Sequence, residues 1–365
     1  MKIQIQKEFF LENLALAVKF TSSKFTAQTA LSGVYLKIEK EEIHFYSSNL
    51  NSYFHSLNKM ETQGKADLTI EPRKIIEFVS LLPPGKVEFD IQEKQVVLLS
   101  GKTKGAFPLL SATDFPLPPK IKGTGQKLKA DFLSKSLPLV LFATSQDETR
   151  PTLNGVQFQT NGEIVMVATD GFRLSLIREK KDIDFPSVIV PGDFLEEVLH
   201  NLEGQKETVF SYSEEEKMVM FKVGEKEFYS RLIQGEFPAY EKVIPAESTT
   251  SAIVDREELL RNIKLISIFA REFSNVVILD FKKGSLSLRP KIENQKEENI
   301  AVQEGEIKGT EQKIAFNFRF LLEFLSRVSA KKIVIEILRP DAPAAFKLEG
   351  NPNYLHIIMP VRIQE

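Results

Sequence analysis

The stretch Leu153–Ile177, LNGVQFQTNGEIVMVATDGFRLSLI, decides how this chain is read. Val156 and Phe158, then Ile164, Met166 and Ala168, recur with a period of two, which predicts strands with one buried face. Asn161-Gly162 and Asp170-Gly171 supply residues that tolerate positive φ, as tight strand connections require. Two successive hairpins are therefore expected. Taken alone they are ordinary β-structure, and Asp170-Gly171 is an ordinary turn dipeptide.

Composition sets the bounds around this stretch. A chain of 365 residues is too long for one ordinary core and suits two or three domains. With 42% hydrophobic and 27% charged residues it reads as folded and globular, not disordered. The 48 basic and 50 acidic side chains leave a net charge of −2, so nucleic-acid binding cannot rest on bulk charge and depends on where the charges sit. There is no cysteine, which excludes disulfides, thiolate metal sites and cysteine nucleophiles. Met1 runs into KIQIQKEFF without the apolar core of a signal peptide, and no run approaches the roughly 18 apolar residues of a membrane span. A cytoplasmic protein with no membrane partner is expected.

The chain also repeats itself. Lys7–Phe20 (KEFFLENLALAVKF) has a counterpart in Lys129–Phe142 (KADFLSKSLPLVLF), and the same offset carries Leu31-Ser32-Gly33-Val34 onto Leu153-Asn154-Gly155-Val156. A weaker third version is Glu257–Ala270 (EELLRNIKLISIFA). Each pass then has a second short amphipathic stretch, starting at Arg73, Asp193 and Phe318 and aligned on Glu77, Glu196 and Glu323. Runs of strand period follow, KVEFDI, ETVFSY and KIVIEI. Each pass takes about 120 residues, a normal domain size. The fold class expected is α+β: three repeated domains, 1–122, 123–247 and 248–365, each with two helices packed on β-sheet. Pro116–Lys127 and Val243–Ser251 read as linkers between them.

The string ATDGFRLSL, with LNGV upstream of it, resembles the second domain of the bacterial sliding clamps, the β subunits of the replicative DNA polymerase. The terminal IIMPVRI, Ile357–Ile363, resembles the end of the same proteins. The resemblance implies three clamp-type domains, with two chains joined head to tail in a ring. It implies a processivity factor that encircles double-stranded DNA without regard to sequence, is opened by a clamp loader, and tethers the replicative polymerase and other replication and repair proteins. Those partners would insert peptides into a cleft between the second and third domains. The matching positions are Arg150, Leu153, Thr169, Gly171, Phe172, Arg173, Leu174, Pro238, Lys242, Val243, Pro343, Ala345, Ile357, Ile358, Met359, Pro360, Val361 and Arg362. Arg173 and Arg362 are expected at its rim, over an apolar floor. Phe172 stands where some members have histidine, and Lys242 where some have arginine. Phe107, Leu109, Ile268 and Phe269 match positions where two chains meet.

For DNA, the helical stretch Leu259–Arg271 sets Leu259, Ile263, Ile266 and Ala270 on one side and Arg261, Lys264 and Arg271 opposite. Lys19, Lys24, Arg73 and Lys74 also sit on or beside helical stretches and, with Arg261 and Lys264, form the expected DNA-facing set. Enzyme chemistry finds no support in the motifs. His44, His55, His200 and His356 are scattered in sequence, and no Walker loop, nucleophile elbow or two-metal carboxylate cluster is present. No cofactor or metal is expected. The alternative reading is a clamp-fold adaptor that binds peptides without encircling DNA.

Overall fold

The computed structural model describes residues 1–22, 29–60, 64–111, 114–121, 125–180, 185–292 and 299–362. Lys24, Ile363 and residues 122–124 of the first expected linker therefore lie outside the described residues. The chain divides into two compact units, each built on one twelve-stranded sheet.

The first unit comprises Met1–Ala130 and His200–Leu232. Its sheet runs from edge to edge through Lys2–Gln6 (β1), Lys86–Ile91 (β6), Gln95–Ser100 (β7), Thr103–Leu110 (β8), Ala66–Ile70 (β5), Val34–Ile38 (β2), Glu42–Ser48 (β3), Ser52–Lys59 (β4), Lys226–Arg231 (β16), Met218–Val223 (β15), Glu207–Ser213 (β14) and Gln126–Lys129 (β9). Helices Lys7–Val18 (α1) and Pro72–Leu81 (α2) pack on each other in this unit. Pro72 opens α2, where its missing N–H costs nothing, and the Glu71 carboxylate accepts from the amides of Arg73 and Lys74.

The second unit comprises Asp131–Leu199 and Ile233–Glu365. Its sheet runs Val188–Pro191 (β13), Gly155–Asn161 (β10), Glu163–Thr169 (β11), Arg173–Lys180 (β12), Asn351–Ile358 (β24), Ala344–Leu348 (β23), Lys332–Ile337 (β22), Thr250–Asp255 (β17), Ala301–Gly309 (β20), Ser285–Pro290 (β19), Val276–Lys282 (β18) and Gln312–Asn317 (β21). Helices Arg256–Ala270 (α5) and Phe318–Arg327 (α6) pack together here. Asp255 and Asn317 cap their first turns. On α5, Leu259, Ile263, Ile266 and Ala270 form the buried stripe. Burying each of Leu259, Ile263 and Ile266 contributes about 1.5–3 kcal/mol, and Ala270 less.

The two hairpins expected from Leu153–Ile177 are present as β10–β11 and β11–β12, with Gly162 at φ 78° and Gly171 at φ 91° in the turns. The helix expected at Lys129–Phe142 is not continuous. Ala130–Ser136 (α3) stops there, and 3-10 turns follow at Leu137–Leu139 and Leu141–Ala143. Pro138 has no N–H to donate and its ring would strike the carbonyl of the preceding turn. The second helix of this repeat, Gly192–Asn201 (α4), keeps its apolar face. The linkers also carry structure at their ends. Gln126 and Lys127 begin β9, and Thr250 and Ser251 begin β17.

Neither sheet stops where a repeat does. In the first unit the sheet passes from the first repeat to the second at β4–β16, with Tyr53 opposite Tyr229, Phe54 opposite Phe228 and His55 opposite Glu227. Phe54 and Phe228 have ring centroids 5.6 Å apart, and Phe20 stacks on Phe54 at 5.8 Å. Beside these rings the Glu227 carboxylate accepts from Tyr229 Oη at 2.8 Å and Lys222 Nζ at 3.1 Å, and lies 2.9 Å from His55 Nδ1. The His55 hydrogen bond, more than the others, draws the Glu227 pKa from 4.5 down to about 2. Burial, and then the neighbouring His55, hold His44 below its usual value.

The Glu227 shift has a direction in pH. A carboxylate whose folded pKa is depressed stabilises the fold above its unfolded value and loses that contribution as pH falls through the folded one. The stability advantage of the native chain over Glu227→Gln is expected to shrink as pH falls from about 4.5 to about 2, measured by urea denaturation at a series of pH values. A pH-independent difference would contradict it.

Candidate functional site

The β11–β12 turn is organised by its own side chains. Thr169 Oγ1 donates to Arg173 O at 2.6 Å and accepts from Gly171 N at 3.1 Å. Asp170 Oδ1 accepts from the amides of Phe172 and Arg173 at 2.9 and 3.0 Å, an Asx turn. Gly171 is favoured by its positive φ, and a Cβ there would meet only the end of the flexible Arg150 side chain, 3.1 Å from Nη1. Arg150 itself is held by Asp147 at 2.9 Å.

Arg173 is not the rim residue expected. It is only 8% exposed, its Nε bonds to Asp170 Oδ2 at 3.1 Å, and its Nη1 forms an ion pair with Glu323 Oε2 of α6 at 2.5 Å. The guanidinium also sits over the rings of Phe142 and Phe320, at 5.4 and 4.9 Å from their centroids. Its planar fork is occupied by the turn and by α6, so it braces the site from below. Arg362 remains exposed.

The antiparallel pairing of β12 with β24 places Leu174 opposite Ile357 and Arg173 opposite Ile358. Leu174, Ala345 and Ile357 enter one buried apolar cluster with Val167, Leu176 and Tyr240, and Phe237, Ile244, Val165 and Leu355 pack against it. Tyr240 donates its hydroxyl to Gln159 Oε1 at 2.8 Å, and burial pushes its pKa up to about 12. Pro238, Lys242 and Val243 flank Tyr240 on the surface, where the Tyr240 amide closes a turn onto Pro238 O at 2.7 Å. At the end of β24, Met359 N donates to Phe172 O at 2.8 Å, so both exposed side chains, Phe172 and Met359, are tied to one place. Thr169, Leu153 and Ile358 are buried, and Pro343 and Pro360 half-buried. Val361 is turned elsewhere, bonding to Ala315 O and packing on Val276, Ile278 and Ala315.

Tyr240, Val167, Leu176 and Phe237 were missed in sequence, although Tyr240 lies within the FPAYEKV segment that supplied its neighbours. Under the cluster, Ser175 Oγ meets His356 Nδ1 at 2.7 Å, and His356 stacks on Phe324 at 4.7 Å. Complete burial, and then Arg173, keep His356 well below its ordinary pKa and hence neutral.

The basic residues are spread over several elements. Lys19 lies exposed at the end of α1, Arg73 and Lys74 on the first turn of α2, and Arg261 and Lys264 on α5. Arg261 and Lys264 line a groove of about 490 Å³ with Arg256, Glu257, Leu260, Leu265 and Ile268. Beyond its buried and basic stripes, α5 has a third, apolar one. Leu265, Ile268 and Phe269 are 40–50% exposed, and Phe273 just beyond the helix is more so. Ile300 and Val302, on and before β20, are exposed too. In the first unit, Phe107 and Leu109 are half-buried on β8, with Phe107 against Phe78 of α2 at 5.4 Å, and Leu81 at the end of α2 is 83% exposed. Exposed apolar groups in such numbers mark an interaction surface, and only Ile268 and Phe269 were read as such from the sequence in the second unit. No helix among the described residues is long and apolar enough to cross a membrane.

Comparison with known proteins assigns the family. Residues 1–119, 127–239 and 241–362 match the N-terminal, central and C-terminal domains of the DNA polymerase III beta subunit, respectively. The chain belongs to the DNA polymerase III beta subunit family, the bacterial sliding clamps. It is 29% identical to the beta sliding clamp of Treponema pallidum over 375 residues, covering 100% of each chain, and 29% identical to that of Bacillus subtilis, covering 99% of this chain and 100% of the relative. Among solved structures, the DNA polymerase sliding clamp of Bacillus subtilis matches with a TM-score of 0.89 at 27% identity, and the clamp of Bartonella birtlesii bound to griselimycin with 0.91 at 25% identity. Both matches cover 100% of each chain. The three clamp domains form a mixed α and β fold with six α-helices among the described residues, two per repeat as the sequence led one to expect, on two large sheets that each continue from one repeat into the next.

The buried position of Arg173 makes a prediction. Arg173→Ala strands Asp170 and removes the brace, and is expected to cost about 3 kcal/mol, the low end for a broken buried pair because Glu323 stays half in water. Glu323→Gln is expected to cost under about 1 kcal/mol. Urea denaturation of the two variants measures both.

Proposed function

We infer that this chain is a non-enzymatic DNA polymerase processivity factor, acting in the cytoplasm as a homodimeric ring on double-stranded DNA. The observation that carries this reading is the succession of all three beta subunit domains along the full chain. Domain limits at 1–122, 123–247 and 248–365 are part of the proposal. Lys19, Lys24, Arg73, Lys74, Arg261 and Lys264 would contact phosphates, which carry charge but no sequence information, so the ring can slide. A clamp loader would open it, and no cofactor is assigned to the clamp itself.

Head-to-tail assembly would join β8 of one copy to β20 of the other. Lys104–Pro108 pair only with β7, and Ala301–Glu304 only with β19, among the described residues, so each strand offers an open edge. Phe107 and Leu109 on one side, and Ile268, Phe269, Ile300 and Val302 on the other, would be covered. Pairing would also remove the aggregation hazard of two bare edges.

The cleft built on Leu174, Ala345, Ile357 and Tyr240, flanked by Phe172, Val243 and Met359, would receive peptides with apolar anchors from the polymerase and from other replication and repair proteins. Tethering works through effective concentration, because a polymerase that lets go stays beside its template.

The purified protein is expected to have the mass of a dimer, to remain on nicked circular DNA once loaded, and to run off the same DNA after linearisation. Equal retention on both forms would overturn the ring. A variant with Arg73, Lys74, Arg261 and Lys264 changed to glutamate is expected to keep its dimeric mass while losing retention and salt sensitivity. Unchanged loading and processivity in that variant would favour the adaptor reading.

A further inference from the structure

Two of the histidines that are scattered in sequence meet in the fold. His44 on β3 and His55 on β4 lie with rings nearly parallel, at an interplanar angle of 6°, and His44 Nδ1 is 3.0 Å from His55 Nε2. His55 Nδ1 is in turn 2.9 Å from Glu227 Oε2 on β16. These groups belong to the first unit and take no part in the cleft, the basic faces or the dimer edges.

Counting protons along this chain fixes its far end. A carboxylate only accepts, so the hydrogen on His55 Nδ1 points at Glu227. In neutral His55, Nε2 is then a lone pair, and His44 must supply the hydrogen between the rings from its Nδ1. Tyr46 Oη, 3.4 Å from the same nitrogen, is a second acceptor for it. His44 Nε2 is left as a lone pair. That atom is shielded from solvent and makes no hydrogen bond, yet it lies 3.5 Å from Glu42 Oε2. Glu39 completes the group, and one ligand atom from each of Glu39, Glu42 and His44 lies within 4.8 Å of the others. Glu39 and Glu42 flank the Lys40-Glu41 turn, where Glu39 N bonds to Glu42 O at 2.8 Å, which holds both carboxylates on the face that carries His44.

A lone pair shielded from solvent and set beside two carboxylates calls for a cation between them. We propose that Glu39, Glu42 and His44 form a divalent transition-metal site of the zinc class, with His55 and Glu227 as the outer arm that sets the His44 tautomer. One imidazole nitrogen and two carboxylates suit zinc or cobalt better than magnesium or calcium, which favour oxygen alone, and open positions on the metal would be filled by water. A histidine ligand whose other ring nitrogen donates along a path ending in a carboxylate is the usual support for such a site. Lys37, the cross-strand partner of His44, has its ammonium 2.7 Å from Glu39 and is the internal cation that the metal displaces. An ion here ties the β2–β3 turn through two imidazoles to β16, across the junction between the first and second repeats.

The test is titration of the metal-free full-length protein with Zn²⁺ by calorimetry and with Co²⁺ by visible absorption. One ion per chain is expected, with a Co²⁺ spectrum showing nitrogen and oxygen ligation and a Zn²⁺-dependent rise in melting temperature. His44→Gln should abolish all three, Glu42→Gln should weaken binding strongly, and Glu227→Gln should weaken it about 10- to 100-fold without touching a ligand. Lys37→Met should tighten it. Circular dichroism establishes that each variant is folded, and Lys37→Met keeps the test decisive if any other variant is not. Failure to saturate below about millimolar metal, where structural ions are held far more tightly, would overturn the proposal. Binding that survives in folded His44→Gln would also overturn it, as would a pair that holds only a proton and gives no Co²⁺ spectrum. None of these results bears on the mass or DNA retention by which the clamp reading is judged.

Discussion

The antiparallel pairing of β12 with β24 is the constraint on which the candidate site depends. It sets the strand that begins with the Asp170-Gly171 turn against the last strand of the chain, so that Leu174 and Ile357 share one apolar cluster. Side chains alternate across a sheet, and a slip of one residue in this register would turn Ile357 to the opposite face and bring Ile358 into the cleft. Ser175 and His356, opposite each other and fully buried, specify that register through a hydrogen bond that only this pairing allows. The β4–β16 pairing acts in the same way in the first unit, with Phe54 against Phe228 and His55 against Glu227. Strands that would be open edges of separate domains become interior strands of one sheet.

Arg173 shows how the site is held without being part of its surface. Burying a guanidinium is costly unless its charge is compensated, and here the turn supplies Asp170, α6 supplies Glu323 as an ion pair and two phenylalanine rings flank the charge. The same contacts couple the β11–β12 turn to α6. Phe172 is thereby left as the exposed member of the turn, 58% accessible and roughly parallel to Phe320 at 6.3 Å. That exposed apolar ring makes this side of the candidate site a contact for apolar groups more than for hydrogen bonds.

A near-neutral net charge still leaves locally basic faces because the charges are sorted by element. α5 shows the sorting on fifteen residues: Leu259, Ile263 and Ile266 face the core, Arg261 and Lys264 face solvent, and Leu265, Ile268 and Phe269 form a third, apolar stripe. A helix with one buried face needs only the first of these for folding. The other two are left for contacts outside the chain.

How much of this was legible in the sequence follows from the range of the forces involved. Local pattern was enough for the hairpins at Asn161-Gly162 and Asp170-Gly171, for the threefold repeat and for the core stripe of α5, because turn chemistry and side-chain periodicity act over a few residues. Pro138 was visible too, and its effect on α3 was masked by the likeness of that segment to its counterpart at Lys7–Phe20. Tertiary structure alone decided that the sheets run through the repeat boundaries, that Arg173 is buried and not exposed, that Tyr240 joins the apolar cluster of Leu174 and Ile357, and that His44, His55 and Glu227 form one chain. Those outcomes depend on which distant strands pair and in what register, and that is settled by the packing of two whole faces at once, which no single stretch of sequence encodes.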